Sequence, residues 1–148
     1  MMVAFVLATL AIGFMCLSLV FAQTEVREEI GNASTTGMES VGNGVRGNYA
    51  RASSITVNYT GVITKVGVNV ATPAGNIMTA LYADAGGSPG ALLTYSNSTA
   101  AVLGWNDLTL NTPVSVTGGT TYWLGFNNDD NNLDTYRDPN GSHVYVSQ

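Results

Sequence analysis

The chain has 148 residues, a formal net charge of −5 and a sequence pI near 4.4, a length suited to one domain. Only 10% of its residues are charged and Lys65 is its only lysine, where an ordinary soluble domain carries about 25% charge; with no basic patch to attract phosphate, the composition argues against nucleic acid as a partner. The single cysteine, Cys16, and single histidine, His143, exclude an intrachain disulfide and a Cys/His metal site.

No Asp, Glu, Lys, Arg or His occurs between Met1 and Ala22, and Glu25 is the first such residue. As a helix, such a run of about 22 residues spans roughly 33 Å, enough to cross a bilayer core. Three readings fit. A cleaved signal peptide would end at Val20-Phe21-Ala22, ahead of Gln23. However, no Lys or Arg precedes the run, and it exceeds the usual apolar region of about 7–15 residues. An uncleaved membrane anchor suits the length, although nothing basic marks a cytoplasmic end. The third reading is a helix that rests in the membrane before assembly and then packs against its own copies in a filament core.

The sequence after Ala22 bears on the choice. No proline occurs before Pro73, Gln23–Ile30 is a good helical octet, and Gly31 is a natural stop. This predicts a continuous helix over Val3–Ile30, roughly 42 Å long at the standard rise. Val3, Phe5, Leu7, Leu10, Phe14, Leu17 and Phe21 would supply its apolar packing surface, and Cys16 reads as one more small apolar residue on it. Residues 31–48, rich in Gly, Ser, Thr and Asn, read as a linker that enters the first strand near Val45.

From residue 49 the pattern predicts a mainly β domain, an antiparallel sandwich of jelly-roll type built from about eight or nine short strands. Thr64, Val66, Val68 and Val70 fall on one strand face, with Lys65, Gly67 and Asn69 on the other. Ile77, Thr79, Leu81 and Ala83 repeat the alternation before the turn signal Asp84–Gly90. Further runs cover Leu92–Ser96, Trp105–Leu110, Val114–Val116, Thr120–Phe126, Leu133–Arg137 and His143–Ser147. Asn111-Thr112-Pro113, Gly118-Gly119 and Asp138–Gly141 read as turns between them.

An uncharged apolar helix, a polar helical extension and a Thr/Asn/Gly-rich β domain together resemble archaeal type IV pilins. That resemblance covers the whole chain and is one of architecture. It implies a structural subunit of an extracellular filament, inserted in the membrane before assembly and partnered by copies of itself. Gly61–Val66, Ala80–Asp84 with Gly86–Gly90, Gly104-Trp105-Asn106 and Gly119–Leu124 also resemble a β-sandwich module of secreted bacterial and archaeal proteins. Relatives of that module often look like carbohydrate-binding domains. The alternative function is therefore a secreted carbohydrate-binding or adhesion module, with residues 1–22 as a cleaved signal peptide.

The candidate sites are few. Asn32, Asn58, Asn97 and Asn140 begin glycosylation sequons. The run Asn127–Asn132 with Asp134 concentrates oxygen atoms, and Asp129, Asp130 and Asp134 are its candidate calcium ligands. Trp105, Tyr122 and Trp123 are candidates for a sugar-stacking platform contacting surface glycans. Alternation assigns Tyr122 to the core and turns Trp123 outward, which makes Trp123 the preferred sugar contact. No nucleophile–base arrangement and no phosphate loop occurs, and the chain does not read as an enzyme.

Overall fold

A computed structural model describes residues 39–40, 47, 49–137 and 143–147. The expected apolar helix and the sequons at Asn32 and Asn140 lie outside them. The described residues are all β, in ten strands. These are β1 (Glu39–Ser40), β2 (Tyr49–Thr56), β3 (Gly61–Thr72), β4 (Asn76–Asp84) and β5 (Pro89–Tyr95). They continue with β6 (Thr99–Ala100), β7 (Gly104–Val116), β8 (Thr121–Asn128), β9 (Asp134–Arg137) and β10 (His143–Ser147).

The strands form two antiparallel sheets, one in the order β1-β9-β3-β7 and the other β10-β2-β8-β4-β5, with β6 also paired to β4. Successive strands change sheet repeatedly, so each sheet is filled by residues far apart in the chain. The buried side chains of the two sheets meet each other, the arrangement of a β-sandwich. Val70 and Leu108 of the smaller sheet pack with Ile77 of the larger one and with Leu133. Toward the other end, Val116 packs with Leu81, Tyr122 and Val57, supported by Ile55, Ile63, Val114 and Leu124. Among the described residues, no helix is long and apolar enough to cross a membrane.

Strand alternation follows the residue pattern closely in β3 and β4. Val66 and Val70 are buried, Val68 packs against the core, and Lys65 and Gly67 face out. Ile77, Thr79 and Leu81 are buried in turn. Thr64 departs from its expected face. The β3–β7 pairing slips between Ile63 and Lys65, so Ile63 packs on the core and Thr64 is exposed.

The same slip corrects the turn expected at Asn111-Thr112-Pro113. Leu110–Pro113 bulges out of the pairing with β3 while β7 runs on to Val116. The bulge is held from the opposite sheet: Leu110 bridges to Ser96, and Thr112 N donates to Thr94 Oγ1 at 3.3 Å. Pro113 cannot donate to a ladder and fits at such an irregularity without ending the strand. Within the stretch read as a linker, Glu39 and Ser40 pair with Arg137 and Tyr136.

Candidate functional site

On β7, Trp105, Asp107 and Thr109 alternate with the buried Asn106, Leu108 and Leu110, and so they project from the outer face of the smaller sheet. Their partners on β3 are Asn69, Gly67 and Lys65. Trp105 keeps 45% of its surface exposed. A Cβ at Gly67 would lie 3.4 Å from Trp105 Cε3 and 3.1 Å from Asp107 Oδ1, so the indole edge and the carboxylate both lean over a position with no side chain. A larger residue there would push the ring away.

Beside Trp105 runs a groove of about 470 Å³ whose polar lining includes Ser96, Asn97, Thr99, Asp107 and Thr109. Buried Asn106 fixes its rim. Its Oδ1 accepts from Val102 N at 2.9 Å, and its Nδ2 donates to Val102 O and Gly104 O, each at 2.8 Å. Ser96 fixes the floor, accepting from Thr79 N at 2.9 Å and donating to Asn97 O at 3.1 Å. A half-exposed indole beside neutral hydroxyl and amide groups is suited to a neutral, hydroxylated ligand with one apolar face.

Trp123 does not serve in this way. Although it stands on the outer face of the larger sheet, beside its cross-strand partners Ser54 and Tyr82, only 3% of it is exposed. Its Nε1 donates to Asp84 Oδ1 at 2.8 Å, so its polar edge is satisfied inside the chain. The Tyr82 ring lies where a Cβ on Gly125 would be, 2.7 Å from Cε2, which closes the surface next to Trp123. The sugar-contact expectation for Trp123 is therefore corrected: both faces of β8 are covered, and period-two alternation cannot report that. Tyr122 is buried as expected, its hydroxyl accepting from Thr117 N at 3.1 Å.

The three acidic candidates for calcium are not gathered. Among the described residues no group of three or more His, Cys, Asp or Glu side chains is placed to share an ion. Asp129 accepts from Asn76 N at 2.6 Å and Asn76 Nδ2 at 2.8 Å. Asp130 Oδ1 accepts from Asn132 N at 2.8 Å and Asn132 Nδ2 at 3.0 Å. These bonds bend the loop back on itself and tie it to the start of β4, a structural use of Asp and Asn in turns. Gly75, at φ +59°, leaves room for the Asp129 carboxylate.

Two carboxylates are held below the usual Asp range. For Asp84 the Trp123 indole N–H is the main cause, followed by the Gly87 and Gly86 amides, with desolvation opposing. For Asp129 the Asn76 backbone amide leads, then its side-chain amide. A folded-state pKa below the unfolded value means that folding favours the ionised form. The stability it contributes is present above the unfolded pKa and is lost as pH falls through the folded one. The melting temperature is accordingly expected to fall as pH drops through and below the usual Asp range, and to fall less steeply in Asp129→Asn. An acid titration of both proteins by circular dichroism checks this; parallel curves would remove Asp129 from the account.

Of the sequons, Asn58 and Asn97 lie on exposed turns. The hydroxyl of Thr60 accepts from Gly118 N at 3.0 Å, and Thr99 Oγ1 donates to Asn97 O at 3.4 Å. Comparison with protein-family profiles, with curated proteins and with solved structures finds no match for the chain.

Proposed function

We propose that the chain is a non-enzymatic structural subunit of an extracellular filament. Its apolar N-terminal segment packs against copies of itself, and the β domain faces outward. One observation carries the reading: the stretch from Met1 to Ala22 has no ionisable Asp, Glu, Lys, Arg or His and is joined to a β domain with few charges. That much apolar surface needs a membrane or its own copies to cover it, and burial in a filament core contributes about 25 cal/mol per Å². Weak surface charge leaves little Coulomb repulsion between outward domains packed side by side.

Two antiparallel sheets, β1-β9-β3-β7 and β10-β2-β8-β4-β5, between which the chain crosses repeatedly, support a jelly-roll-like form for the outer domain. Heterologous contacts between such subunits propagate rather than close. The membrane is the segment's environment before assembly, and the cell surface its destination. The test is the intact mass and N-terminal sequence of the protein purified from its source cells, with electron microscopy of the same material. Filaments whose subunits retain residues 1–22 support the reading. A chain beginning at Gln23 overturns it and leaves the secreted carbohydrate-binding or adhesion module.

A further inference from the structure

We propose that the groove beside Trp105 is a binding site for a pyranose ring. The ring's C–H face rests on the indole, and its hydroxyl edge is met by Asp107, Thr99 and Thr109. Four observations converge on this ligand class. The indole is 45% exposed, whereas the other tryptophan, Trp123, is 3% exposed, so Trp105 has a face free to meet a ligand. The volume of about 470 Å³ falls in the range of roughly 300–1,000 Å³ usual for ligand pockets. The lining sets apolar Ile77, Ala100, Val102 and Leu108 and the indole beside hydroxyl and amide groups and a single carboxylate, a mixed set that matches a ring with one C–H face and a hydroxyl edge and offers no cation to a phosphate. The rim is pre-ordered by Asn106, which lowers the entropy lost on binding.

Two sources could supply that ring. Asn97 begins the sequon Asn97-Ser98-Thr99 and itself lines the groove, so a sugar attached to Asn97 would start on the groove wall. A saccharide from outside the chain would present the same C–H face and hydroxyls. The site does not depend on the filament reading, and the N-terminal sequence that decides the latter says nothing about it.

The chain has two tryptophans, and only Trp105 is accessible to an aqueous quencher. Iodide quenching of tryptophan fluorescence is therefore the readout, using the full chain in mild detergent, with Trp105→Phe assigning the quenchable emission. In protein from a host without N-glycosylation, cello-, manno- and chito-oligosaccharides are added in turn. Protection from iodide by about two-fold or more is expected from a ring covering most of the indole face. Asp107→Asn is then expected to weaken that saccharide about tenfold, as loss of a charge-assisted hydrogen bond does, with the melting temperature unchanged.

In protein from source cells, the attached sugar gives protection without any addition, and Asn97→Gln abolishes it. Protection in the first arm identifies an external saccharide, and protection in the second the chain's own glycan. Absence of protection in both arms overturns the site. So does protection that appears only as protein concentration rises, because a second copy would then be covering Trp105.

Discussion

Trp123→Ala is expected to destabilise the domain by about 3–5 kcal/mol, the usual cost of removing a buried large aromatic. The side chain is 3% exposed and stands on β8 between the neighbouring strands β2 and β4. Its removal leaves a void on the outer face of the larger sheet and strips Asp84 of the indole N–H. Asp84 also accepts from the amides of Gly86 and Gly87, at 3.0 Å each, so its carboxylate, which helps to hold the hairpin between β4 and β5, loses one of three donors. Trp123→Phe, which keeps most of the packing and loses the hydrogen bond, is expected to show a smaller loss. Chemical denaturation of the three proteins separates the effects. Equal stability of Trp123→Ala and the parent would show that this face is not packed. Binding in the Trp105 groove, whose lining does not include Trp123, is expected to survive in Trp123→Phe.

Leu81→Ala is expected to cost about 2–5 kcal/mol and to lower the melting temperature by about 10 °C or more. Leu81 is fully buried on β4, a strand paired with both β8 and β5, and it packs with Val57, Val116 and Tyr122. Val116 belongs to the opposing sheet, so the cavity opens across the sheet-to-sheet contact. Backbone ladders clamp β4 from both sides and limit the collapse that could refill it. Leu103→Ala is the control, since Leu103 is 72% exposed and its loss is expected to stay within about 0.5 kcal/mol. Similar melting of the two variants would refute the core assignment.

The legible parts of the fold were those written in local alternation. Val66, Val68 and Val70 declared the inner face of β3, and Ile77, Thr79 and Leu81 that of β4. The Gly-rich turns at Asp84–Gly90 and Gly118-Gly119 separated strands where expected. What failed depended on neighbours distant in the chain. Asn111-Thr112-Pro113 carries turn residues, yet Ser96 and Thr94 of the other sheet hold it as a bulge. Trp123 obeys alternation but is covered by the outer face of its own sheet. Trp105 was visible as a candidate, whereas its setting was not. Gly67 and Asp107 meet the indole through β3–β7 register, and Asn97 reaches the groove from the connection between β5 and β6.

The irregularity in β7 also bears on how densely copies of this domain can be crowded. Thirteen residues long, β7 is the edge of its sheet, and a flat edge of that length is a template for amyloid-like strand addition. Here Leu110 is already bridged to Ser96, the Thr112 amide is donated to Thr94, and Pro113 offers no amide hydrogen. An incoming strand finds no continuous row of partners. A domain with little charge to hold copies apart thus carries its protection against fusion in backbone geometry, and that protection persists at ionic strengths that would screen charge repulsion.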